Sequence, residues 1–141
     1  SSTDKSLKSG ANQSKYSFGA FTDIKLLVYI EIMNLISSVS NLNNSKLFFS
    51  KIELEKILNC YSFGVSKGSW KDYSIFFGKN EASFCMYKHY LASPDCILTK
   101  TNKYKKNYII YNLVIQNKTK SKFKKIDDLI AKLKRRELKI I

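Results

Sequence analysis

The chain has 141 residues, 44% of them apolar and 13% aromatic, which is material for one domain with a single core. A formal charge of +14 favours polyanionic partners, and no apolar stretch is long and clean enough to span a bilayer. Three cysteines at wide spacing, Cys60, Cys85 and Cys96, with the lone His89, argue against a disulfide scaffold and against a zinc site, and point to a reducing, intracellular compartment.

The charge is not spread evenly. Residues 1–22 carry +2, residues 23–98 carry +1, and residues 99–141 carry +11. A binding face concentrates charge in this way, whereas a general solubility effect distributes it.

Residues 1–22 are polar and lack the apolar segment of a secretory signal, and they read as a disordered tail. Asp23 is placed as N-cap of a helix over 24–39, where Ile24, Leu27, Val28, Ile32, Leu35, Ile36 and Val39 recur at helical spacing. Residues 40–45 form a loop by composition, and 46–50 a short extended segment. Ser50 followed by Glu53 matches a capping box and predicts a helix over 51–60, with Leu54, Ile57, Leu58 and Tyr61 on one face.

Residues 63–77, FGVSKGSWKDYSIFF, admit two readings. As a helix capped by Ser66 they align Trp70, Tyr73, Phe76 and Phe77; as two strands they turn at Gly68 and Ser69. Residues 80–91 follow a helical pattern through Phe84, Tyr87 and Leu91, with Pro94 beyond the end. Residues 96–117 hold two strand-forming runs around the basic NKYKKN, which predicts a hairpin with a charged tip. Phe123, Ile126, Ile130 and Leu133 mark an amphipathic helix over 122–138, with Lys124, Lys125, Lys132, Arg135 and Arg136 on its other face.

The motif GVSKGSW, residues 64–70, resembles the G-V-S-[RK]-G-T-V that opens the recognition helix of many bacterial winged-helix regulators. The order helix, short strand, helix, helix, basic hairpin is similar to the same family. The resemblance implies an α+β, winged-helix-like three-helix core with a basic β-hairpin over 23–117; the basic C-terminal amphipathic helix, assigned to 118–141, is read from its own periodicity. It implies that Ser66, Lys67, Ser69 and Lys71 face a DNA major groove, and that Lys103, Lys105 and Lys106 form the wing. Lys122, Lys124, Lys125, Arg135 and Arg136 would then add phosphate contacts.

Tyr104, Tyr108 and Tyr111 lie close to the hairpin tip, where aromatic rings stack on bases if the ligand is single-stranded. Packing on the core is the simpler reading of Tyr108. A second resemblance, from LEKILN through LTKTNKYKKNYIIYNLV, is to the later half of a LAGLIDADG homing endonuclease domain. Asp23 lacks the Gly-acid-Gly context of that family's metal-binding signature, so this similarity implies a binder without nuclease activity.

The acids are scattered, Cys85 and His89 make a weak nucleophile and base pair, and no glycine-rich phosphate loop occurs. The expectation is therefore a non-catalytic nucleic-acid-binding protein without metal or cofactor, DNA ahead of RNA, acting alone, as a homodimer or within a nucleoprotein assembly. An RNA-anchored structural subunit of a ribosome or virion is the alternative.

Overall fold

The computed structural model describes residues 20–42, 46–90, 92–103 and 108–139. The chain is α+β: α1 (Ala20–Leu42), α2 (Lys51–Ser66), β1 (Asp72–Phe77), β2 (Glu81–Tyr87), β3 (Cys96–Lys103), β4 (Tyr108–Ile115), β5 (Thr119–Phe123) and α3 (Ile126–Lys139). The five strands form one antiparallel meander in the order β1-β2-β3-β4-β5.

The capping box closes as expected: the Ser50 side chain accepts from Glu53 N–H, and the Glu53 carboxylate accepts from Ser50 N–H at 2.7 Å. The helix then runs past Cys60 to Ser66. Its stop is a Schellman motif, in which Gly68 N–H donates to Val65 C=O at 3.0 Å and Ser69 N–H to Gly64 C=O at 2.7 Å. Gly68 takes φ +83°, the left-handed conformation this stop requires.

The segment 63–77 is thus neither a recognition helix nor a hairpin. GVSKG is the last turn of α2 and its stop, and DYSIFF is strand β1. Gly64 has a packing reason to be glycine, because a Cβ there would sit 2.1 Å from the indole of Trp70. That indole is fully buried and stacks on Tyr61 at 6.3 Å between ring centroids.

Four other expectations are corrected. Residues 81–87 are a strand, since Ala82, Phe84 and Met86 are buried while Ser83, Cys85 and Tyr87 face the other way, a period of two. The first helix starts at Ala20, so Asp23 lies within it and does not cap it, and residues 20–22 belong to the fold. Residues 46–50 form no ladder, although Leu47 N–H donates to Gly78 C=O at 2.8 Å. The last helix starts at Ile126, because residues 119–123 pair with β4 as a fifth strand.

The helix, helix, hairpin order of a winged helix is replaced by two helices, a meander and a closing helix. All three helices cover one sheet face. Leu54, Ile57, Leu58 and Tyr61 of α2 meet Phe84, Leu98 and Leu113, and Ile126, Leu129, Ile130 and Leu133 of α3 join the same core. Full burial of such side chains contributes roughly 1.5–3 kcal/mol each, so the basic C-terminal segment is part of the domain. Helix α1 adds Val28 and Ile32, and its Glu31 accepts from Tyr73 Oη at 2.6 Å.

Candidate nucleic-acid interface

The register fixes what stands on the other sheet face. One row reads Phe76, Ser83, Thr99, Asn112, Lys122 from β1 to β5, and the next reads Ser74, Cys85, Ile97, Val114, Lys120. Lys103 opposite Tyr108 closes the face at the β3–β4 end, and Asp72 and Glu81 stand on its β1–β2 side. None of these side chains belongs to the helix-covered core; Ile110, on this same face, is buried outside that core. Such one-sided solvation is usual for antiparallel sheets.

Charge divides across this face. Acids stand on β1 and β2, whereas Lys103, Lys120 and Lys122 stand on β3 and β5, with exposed Lys118, Lys124 and Lys125 flanking β5. Phe76 is 55% exposed and Tyr108 45%, large values for aromatic rings on a folded surface.

The helix-covered face holds two charged clusters that a count of basic residues would misassign. Lys100 is buried; its Nζ donates to Glu53 Oε1 at 2.8 Å and to Phe48 C=O at 2.9 Å, while Tyr111 donates to the other Glu53 oxygen. Burial alone would raise the Glu53 carboxyl, but the hydrogen bonds from Lys100, Tyr111 and Ser50 outweigh it and hold the group below the usual carboxylate range. The Tyr111 hydroxyl is pushed up, first by burial and then by Glu53.

Asp95 is the second hub. It accepts from Trp70 Nε1 at 2.9 Å, from Arg136 Nη1 and Nη2 at 3.0 and 3.1 Å, and from Gln116 Nε2 at 3.3 Å. Burial works to raise its carboxyl too, and the Arg136 and Trp70 bonds reverse the sign and lower it. Arg136 therefore locks α3 to the β2–β3 connection through a two-pronged pair.

The residues singled out in the sequence separate into groups. Ser66, Lys67, Ser69 and Lys71 sit at the α2 stop: Ser66 Oγ donates to Phe63 C=O at 2.8 Å, Lys67 Nζ lies 5.0 Å from the Phe63 ring centroid, and Lys71 N–H donates to Tyr87 C=O at 2.7 Å. That is the sheet end where β1 begins and β2 finishes. Lys103 lies at the opposite end, beside Thr101 and the start of β2, roughly 25 Å away at the usual strand rise.

The structure does not bring the expected recognition residues and the wing together. Tyr104, Lys105 and Lys106 lie outside the described residues. Lys122 is on β5, Lys124 and Lys125 are exposed in the bend before α3, and Arg135 is exposed on α3. Tyr111 faces the core and Tyr108 the open face, the reverse of the simplest reading of Tyr108.

Phe76, Tyr87, Thr99, Asn112 and Lys120 were not picked out from sequence. For Tyr87 the signal was the period of two in EASFCMY; Phe76, Thr99, Asn112 and Lys120 come to one face only through the register of the strands.

No disulfide links Cys60, Cys85 or Cys96. His89 is exposed in the bend after β2 and so does not share a helix with Cys85. Among the described residues no group of three or more His, Cys, Asp and Glu side chains could hold a metal ion, and no helix is long and apolar enough to cross a membrane. No curated protein and no solved structure matches the chain. The family model for DUF2794, described as a protein of unknown function, matches residues 47–126, from the segment before α2 to the first residue of α3. That is more than half of the chain, and the protein belongs to the DUF2794 family.

Proposed function

We propose that this protein is a non-catalytic nucleic-acid-binding domain of the cell interior that holds the phosphate backbone along the β3–β5 side of its open sheet face. The observation that carries this reading is the gathering of Lys103, Lys120, Lys122, Lys124 and Lys125 at one side of a face that no described helix covers. Lysines so grouped neutralise successive phosphates and release their counterions.

The non-catalytic part is supported by the commitments of four acids. Glu53 is held by Lys100 and Tyr111, Asp95 by Arg136 and Trp70, Glu31 by Tyr73, and Asp127 by Lys56 at 2.5 Å. Lys67 and Lys71, at the far end of the sheet, contribute general charge in this account and no base readout.

Fluorescence anisotropy of labelled oligonucleotides over a salt series tests the proposal. Replacing Lys122, Lys124 and Lys125 together with Glu is expected to lower affinity at least tenfold and to flatten the log-log salt slope by about 2–3. The Lys67→Glu/Lys71→Glu pair is expected to change it less. Equal losses from both sets, or no binding at low salt, would count against the proposal.

A further inference from the structure

Resting on that nucleic-acid reading, we infer that the row Phe76, Ser83, Thr99, Asn112, Lys122 is a binding platform for single-stranded RNA, with a base stacked on Phe76 and a phosphate on Lys122. The five positions lie in register across five strands. At about 4.8 Å per strand the row is about 19 Å long.

Its chemistry is graded in one direction. An exposed aromatic ring stands at the β1 end, two hydroxyls and a carboxamide occupy the middle, and an exposed ammonium stands at the β5 end. A short single strand presents the same three chemistries, a π-face, a polar base edge with its sugar, and an anion, on successive nucleotides along a row of this length. The neighbouring row has Cys85, Ile97 and Val114 in its middle and offers no such match.

Width keeps this face out of the major groove of a duplex. The major groove of B-DNA is about 12 Å wide and admits a helix or a two-stranded ribbon, so a sheet about 19 Å across stays outside it. The bases of a single strand, in contrast, are free to lie flat on the sheet. Asn112 and Thr99, between the ring and the lysine, offer donors and acceptors to a ribose 2′-hydroxyl, which distinguishes RNA from DNA.

The ring is well placed for the role. Phe76 belongs to an edge strand, packs beside Gly78, where an added Cβ would come within 2.9 Å of the ring, and takes no part in the buried core. Removing it therefore leaves the domain folded. Tyr108, exposed at the β3–β4 end beside Lys103, extends the platform for a longer strand.

The test uses the full chain with three probes: a ten-nucleotide oligouridine, its deoxyuridine counterpart, and a DNA duplex. The expected order of affinity is RNA, then single-stranded DNA, then duplex. Phe76→Ala is expected to weaken RNA binding at least about fivefold with the salt slope unchanged, since stacking rather than charge is lost, and Phe76→Trp to retain it. Asn112→Ala is expected to narrow the gap between RNA and DNA.

Unchanged RNA binding by Phe76→Ala, or duplex bound most tightly, would overturn the platform while the nucleic-acid reading stands. Single-stranded DNA bound as tightly as RNA would overturn the assignment to RNA. Failure of all three probes at low salt would overturn both readings.

Discussion

Lys100→Met is the perturbation that most sharply probes how the helical layer is held to the sheet. In the native chain the side chains of Lys100 and Glu53 are only 11% and 12% exposed and 2.8 Å apart. Removing the ammonium leaves the Glu53 carboxylate buried with Tyr111 and Ser50 N–H as its remaining donors, and strips Phe48 C=O of its partner. Breaking a buried pair from one side costs about 3–5 kcal/mol, a large share of the roughly 5–15 kcal/mol that holds a domain together. With a urea m-value of roughly 1.5 kcal/mol/M, the unfolding midpoint should fall by about 2–3 M. The double variant Glu53→Gln/Lys100→Met removes both charges, and its loss should be well below the sum of the two single losses. A single-variant loss below about 1 kcal/mol, or strict additivity of the two, would refute the view that this pair is a coupled buried unit.

The remaining predictions concern the α2 stop and the carboxylates. Gly64→Ala should destabilise by about 1–3 kcal/mol despite alanine's better helix propensity, because the added methyl meets the Trp70 ring; a rise in the urea midpoint would contradict this packing. Gly68→Ala, with open space around it but φ +83°, should cost about 1 kcal/mol through backbone strain alone. Glu53 and Asp95 both titrate below their ordinary values in the folded chain, so the unfolded chain takes up protons first as pH falls. Their contribution is complete above about pH 4.5 and is lost as pH drops through the folded values, with Asp72, raised by burial and by Glu31, opposing them. Urea midpoints at pH 6 and pH 3 should show the decline, and Glu53→Gln should show a smaller one; a flat profile would contradict the assignment.

Local signals carried the parts of the fold that depend on local chemistry. The Ser50 and Glu53 box, the β3–β4 hairpin and the apolar faces of α2 and α3 were legible because each is written within a few residues. Residues 81–91 were not, since Phe84 and Tyr87 sit three apart and fit a helical face as well as they fit opposite faces of a strand. Only the pairing with β3 decides between them. The motif GVSKGSW misled for a related reason: glycine, serine and lysine at those spacings suit a helix start and a Schellman stop alike, and the choice depends on Trp70 reaching Asp95 from 25 residues away.

The candidate site followed the same division. The basic excess of the last third was plain, and Lys103, Lys122, Lys124 and Lys125 do lie on or beside the open sheet face. Lys100 and Arg136, which residue type alone does not set apart from the other basic residues of that third, are committed to Glu53 and Asp95. Phe76 gains its meaning only from the register that lines it up with Asn112 and Lys122 across the sheet.

Backbone amide chemical-shift mapping of the labelled protein, titrated with a short oligouridine, tests the central claim most directly. Shifts are expected at Phe76, Thr99, Lys103, Asn112, Lys120 and Lys122, with Ser66, Lys67 and Lys71 undisturbed. Shifts concentrated at Ser66 to Lys71, with the open sheet face silent, would contradict it.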